Sequence, residues 1–105
     1  MTDKRVVLTT CGSEAQAEKI AQHLVEGRLA ACVNIIPRIR SLYRWQGKLE
    51  SASEWMLLVK TTSAKFPQVR DAIRALHSYE LPECAMLAIE DGSEAYLQWI
   101  DDSVG

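Results

Sequence analysis

The sequence predicts an α+β chain of order βαββαβ with one further helix at its end, and three patterns carry that prediction. Two segments repeat apolar residues at three-and-four spacing, and several short segments are β-branched and apolar. Two of these strand-like segments flank Gln46-Gly47-Lys48 and read as one long hairpin.

Arg5 to Thr10 is too short for a helix and is closed by Cys11-Gly12-Ser13, which makes it a buried strand. Ser13 opens a helix. Its hydroxyl can cap the first turn, Gln16 can close the capping box, and Ala17, Ile20, Ala21, Leu24 and Val25 share a face. Gly27 supplies the stop.

Ala31 to Trp45 and Leu49 to Thr61 form the hairpin. Setting Trp45 opposite Leu49 across a three-residue loop puts Tyr43/Ser51, Ile39/Trp55, Pro37/Leu57 and Ile35/Val59 on one largely apolar face. The other face then gains Arg44/Glu50 and Arg40/Glu54. A slip of one residue sets Tyr43 against Glu50 and Ile39 against Glu54, mixing both faces. Pro37 cannot donate to a ladder and belongs at an edge or a bulge.

A straight strand from Ala31 to Trp45 would span about 50 Å, whereas a compact domain of this length is about 33 Å across. The hairpin is therefore expected to overhang, leaving Leu42, Tyr43, Trp45 and Leu49 in need of cover. A partner chain is the simplest cover; the alternative is a ribbon that curls over its own sheet at Pro37.

Thr62 or Ser63 opens a second helix with Val69, Ala72, Ile73 and Leu76 on one face, Pro67 in its first turn and an end near His77. Met86, Leu87, Ala88 and Ile89 read as the last strand, Asp91-Gly92 closes it, and Ser93 caps a short helix with Tyr96, Leu97 and Ile100. This order is the split βαβ, or ferredoxin-like, arrangement: an antiparallel four-stranded sheet with two helices on one face and the other face open. The scaffold hosts many functions, so function has to come from particular residues.

Composition narrows the choice. The 105 residues fit one domain, 1–105, able to build a core without disulfides or metal. A net charge of −2 argues against a nucleic-acid partner, and the first strand offers Val6, Val7 and Leu8 where RNA-binding relatives of the fold need exposed aromatics. The N-terminus leads into only a short apolar stretch, so no membrane partner is expected. Cys11, Cys32 and Cys84 are an odd number without a C-x-x-C pair, which suits a reducing, cytoplasmic compartment. An acylphosphatase-like enzyme would want an arginine in the loop after the first strand; Cys11-Gly12-Ser13-Glu14-Ala15 has none, and the chain is expected not to be an enzyme.

Four stretches carry a resemblance: residues 29–37 (LAACVNIIP), 41–50 (SLYRWQGKLE), 58–62 (LVKTT) and 77–83 (HSYELPE), joined by 96–100 (YLQWI). In that order they resemble the CutA family of divalent-cation tolerance proteins over nearly the whole chain. The resemblance implies a homotrimer whose long hairpins extend each neighbour's sheet, with copper or another divalent cation as ligand and no organic cofactor. It also implies an alternative, a PII-like signalling trimer that senses a small metabolite or nucleotide in intersubunit clefts, with a further protein partner left open. Some bacterial members bind copper through a first-strand cysteine and a His-His pair; at the matching positions this chain has Thr9 and Leu76-His77, and Ser78 stands where the family's turn usually has proline.

The candidate metal ligands are His77, Glu80 and Cys11. Imidazole and carboxylate together suit a borderline cation, and a side chain two residues past Thr9 returns to its face if the strand continues. The competing role for His77 is to cap its helix. Asn34 opposite Lys60, and Cys32 opposite Thr62, gather a donor-rich group that with Glu83 and Trp45 would line an intersubunit cleft; the competing role is a satisfied polar cluster, with Cys32 a core residue. Leu42, Tyr43, Trp45 and Leu49 are the expected trimer interface. Trp45, Trp55 and Trp99 read as core or interface anchors, and Arg38, Arg40 and Arg44 as an ion-paired solvated row.

Overall fold

The computed structural model describes residues 2–105. The chain runs β1 (Lys4–Cys11), α1 (Glu14–Glu26), β2 (Cys32–Trp45), β3 (Lys48–Thr62), a single 3-10 turn (Ser63–Lys65), α2 (Phe66–Leu76), β4 (Ala85–Ala88) and α3 (Glu94–Ser103). The strands form one antiparallel sheet in the order β2-β3-β1-β4, the ferredoxin-like topology with a C-terminal helix added.

Alternation divides the sheet into two faces. Val7 of β1 and Leu57 and Val59 of β3 are fully buried beneath Ala17, Ile20 and Leu24 of α1 and Val69 and Ile73 of α2. The intervening residues, Val6 and Leu8 on β1 and Met56 and Leu58 on β3, are only half-buried, and Ile36 beside Met56 is exposed. The open face is thus apolar. Two buried side-chain polar atoms have no partner among the described residues, Thr9 Oγ1 and Trp55 Nε1; by strand alternation both belong to the helix-covered side.

Local signals were used differently from their sequence reading in several places. Ser13 caps α1, accepting from the Gln16 N–H at 3.1 Å, but the Gln16 side chain does not close a capping box. Its Nε2 donates to the Leu76 carbonyl at 3.0 Å and its Oε1 accepts from the Ser78 N–H at 2.8 Å, tying the start of α1 to the end of α2. Gly27 has a right-handed backbone, and Arg28 takes the left-handed one after it. Val25 is exposed.

The hairpin register corrects the expectation. Trp45 pairs with Lys48, not Leu49, and Tyr43 faces Glu50 while Ile39 faces Glu54. The loop is Gln46-Gly47 alone, both with positive φ (51° and 79°), as in the two-residue turns whose twist matches paired strands. Turn geometry fixes the outer register because no face of the projecting tip is covered by the chain's own helices. A bulge between Ile36 and Ile39, with Arg38 at φ 55°, then shifts the inner half by one residue, so that Ile35 meets Leu57 and Val33 meets Val59. Pro37 sits in that bulge, as its missing N–H requires.

The overhang itself is present. The molecule measures 44 × 25 × 23 Å, and its radius of gyration of 14.1 Å exceeds the roughly 13 Å of a compact chain this long. The arginine row is not ion-paired to Glu50 or Glu54: the ion pairs among the described residues are Lys4–Asp3, Lys4–Asp101 and Arg70–Asp71. Arg40 instead donates to Ser51 Oγ at 3.3 Å. Lys4 bonds Asp101 at 3.3 Å and so ties α3 to β1.

Candidate functional site

A cleft of about 890 Å³ opens between the outer half of the hairpin and the segment that follows α2. The hairpin contributes Arg40, Tyr43, Trp45 and Glu54 to its walls, the post-helix segment Tyr79, Glu80 and Glu83, and β1 adds Thr10. Overhang and turn together make the cavity, since a flush hairpin would have no rim for residues 79–83 to face.

Hydrogen bonds lock the post-helix segment. α2 ends at His77, whose N–H donates to the Ile73 carbonyl at 2.9 Å. Its ring is engaged on both sides: Nε2 lies 2.7 Å from the Thr10 carbonyl and Nδ1 accepts from the Tyr79 N–H at 3.1 Å. Because a carbonyl only accepts and an N–H only donates, the neutral Nε2–H tautomer is the one that satisfies both. Tyr79 stacks obliquely on His77 at 4.7 Å and donates its hydroxyl to Glu54 Oε2 at 2.8 Å. Burial, then that bond to Glu54, pushes the Tyr79 hydroxyl pKa up, so it stays a donor.

The expected metal ligands do not assemble into a chelate within the chain. Cys11 does remain in β1, paired with Trp55, but it is fully buried, and burial followed by the Glu54 charge pushes its thiol pKa up to about 11. A protonated thiol is a poor ligand. Both His77 nitrogens are already bonded, and Glu80 is exposed on the cleft wall. Among the described residues no group of three or more His, Cys, Asp or Glu side chains is placed to hold a metal ion.

The second expected cluster forms by a different register. Cys32, not Asn34, pairs with Lys60, and the Lys60 ammonium reaches diagonally to Asn34 Oδ1 while lying 3.8 Å from Cys32 Sγ. Cys32 is therefore on the open face rather than in the core. Within one chain this group is separate from Trp45 and Glu83, which line the cleft. Of the expected interface residues, Leu42 and Leu49 are the most exposed, with Tyr43 and Trp45 exposed beside them. Trp55 packs against the core, whereas Trp99 is exposed and stacks on Tyr96 at 5.7 Å.

Glu54 and Tyr79, a hydrogen-bonded polar pair in the cleft wall, are marked by no motif in the sequence. The one available signal was a carboxylate in an otherwise apolar stretch, Glu54-Trp-Met-Leu-Leu-Val59.

Fold and cleft define a small ferredoxin-like subunit with an open sheet face, a projecting hairpin and an acidic, aromatic-walled cavity at its root. The CutA1 divalent ion tolerance protein model matches residues 5–103, and the chain belongs to that family. It is 48% identical over 102 residues to the divalent-cation tolerance protein CutA of Thermus thermophilus, covering 97% of this chain and 99% of that one. Among solved structures, CutA from Xylella fastidiosa superposes with a TM-score of 0.96 at 38% identity, covering 99% of this chain and 100% of that one. The protein described as periplasmic CutA from Archaeoglobus fulgidus superposes with a TM-score of 0.94 at 45% identity, covering 97% and 99%.

Proposed function

We propose that this chain is a non-enzymatic, homotrimeric protein of divalent-cation tolerance that engages copper or a related ion weakly and transiently, as cargo. The family match over residues 5–103 carries the reading. Assembly is supported by two unpartnered apolar surfaces, the hairpin tip with Leu42, Tyr43, Trp45 and Leu49, and the open sheet face with Ile36, Met56 and Leu58. Exposure of this kind, on a ribbon that overhangs its own core, is relieved by neighbouring copies.

Weak binding follows from the state of the donors. His77 has to give up a bond to Thr10 or Tyr79 before its ring reaches a metal, and Cys11 has to lose a proton that its surroundings hold. Glu80 is accessible without such a cost. The three free cysteines suit a reducing cytoplasm. The cleft's size favours a second reading, a PII-like trimer with a small metabolite between subunits.

Sedimentation equilibrium at micromolar concentration tests the assembly, with three chain masses expected and a folded monomer excluding it. Thermal shifts against copper, zinc and a nucleotide panel separate the two readings: stabilisation by metal alone favours the first, by nucleotide alone the second. Titration calorimetry of His77→Ala against copper should show weakened binding; an unchanged affinity removes His77 as a ligand.

A further inference from the structure

The outer half of β3 carries a buried carboxylate that no ion pair among the described residues balances. Glu54 is only 6% exposed, a burial that carboxylates tolerate when paired or heavily hydrogen-bonded. Its side-chain partner among the described residues is neutral, the Tyr79 hydroxyl on Oε2. Glu54 takes part in none of the ion pairs among the described residues, which join Lys4 to Asp3 and Asp101 and Arg70 to Asp71. It nonetheless forms part of the cleft wall, so its charge can be met from the cleft side.

The rest of the wall fits a cation of a particular kind. Tyr43 and Trp45 present aromatic rings from the hairpin, and Glu80 and Glu83 add carboxylates from the opposite rim. Arg40 is the basic residue of this wall, and its guanidinium is drawn towards Ser51. A metal ion needs several donors converging at roughly 2.0–2.6 Å, which the described residues do not provide. A charged group on a hydrocarbon stem needs one desolvated carboxylate and flat apolar walls, as aromatic faces attract cations and cover methylenes.

We infer that the cleft binds an organic cation, an alkylammonium or alkylguanidinium group, with its charge on Glu54 and its stem against Trp45 and Tyr43. Two sources carry that chemistry, a free small amine and a lysine or arginine side chain from a second copy of the chain. Either supplies the counter-charge Glu54 lacks. The inference is independent of metal binding, and its test is run with a chelator present.

Titration calorimetry of the full chain in EDTA, with n-butylammonium chloride and n-butylguanidinium chloride against sodium chloride of equal ionic strength, reads the first source. Saturable binding is expected, lost tenfold or more in Glu54→Gln, which keeps the acceptor for Tyr79 and removes the charge, and about threefold in Trp45→Leu. If a second copy fills the cleft, neither salt binds the wild type and Glu54→Gln sediments as a smaller species at matched concentration, with its fold checked by circular dichroism. Absence of salt binding together with wild-type sedimentation of Glu54→Gln overturns the inference. So does salt binding that Glu54→Gln leaves unchanged. Should Glu54→Gln not fold, Trp45→Leu decides, unchanged salt affinity counting against the inference, as does unchanged sedimentation where no salt binds.

Discussion

The Tyr79 hydroxyl donates to the Glu54 carboxylate across 2.8 Å, joining the segment after α2 to the outer half of β3. Tyr79→Phe removes the donor and leaves a buried carboxylate without it, a loss of about 2 kcal/mol expected in urea unfolding. Gly12→Ala attacks the same bond from the other side, because the added methyl would lie 2.9 Å from the Tyr79 hydroxyl oxygen. The two substitutions should be sub-additive in a double-mutant cycle, and full additivity would show that they act on separate contacts.

Thr9 is fully buried with its hydroxyl unpartnered. Thr9→Val replaces that hydroxyl with a methyl of similar shape, so the variant should be more stable by about 1 kcal/mol. A lower denaturation midpoint at unchanged slope would mean that the hydroxyl finds a partner in solution.

At the hairpin tip, Gln46 and Gly47 both occupy left-handed backbone. Gln46→Asn suits that conformation better and should raise the melting temperature slightly, whereas Gly47→Ala should cost about 1 kcal/mol. Equal melting temperatures for both variants and the wild type would show that the turn does not set the register.

Trp45→Asp places a charge on the exposed tip and should shift sedimentation towards smaller species. A variant that sediments as the wild type would remove Trp45 from the contact.

Stability should fall with rising pH from about 9 to about 11. In that window the unfolded chain releases the Cys11 proton, near its ordinary value of 9.0, while the folded chain holds it to about 11. The folded state then binds more protons, so the contribution is complete below pH 9 and fades as pH approaches 11. Tyr79, also shifted upwards, adds to the same trend at its alkaline end. Urea midpoints at pH 8 and pH 10.5 test this, and Cys11→Ala should flatten the slope.

Sequence alone determined the order of elements, the buried faces of both crossover helices apart from Val25, which is exposed, and the overhang of the hairpin, because these rest on short periods and on chain length. It also located the break at Pro37, since a residue without an N–H cannot sit in a regular ladder. The register did not follow, because facial sorting ranks pairings only where a face is buried. On the free tip the positive φ of Gln46 and Gly47 decided the outer pairs, and the bulge reset the inner ones.

Gln16 shows the same limit: its capping-box spacing was legible, but the carbonyl of Leu76 and the N–H of Ser78 competed for its amide and won. Glu54 and Tyr79 are 25 residues apart, and local pattern says nothing about such a pair. Only folding brings the segment after α2 back beside β3 and encloses the Glu54 carboxylate there, away from water.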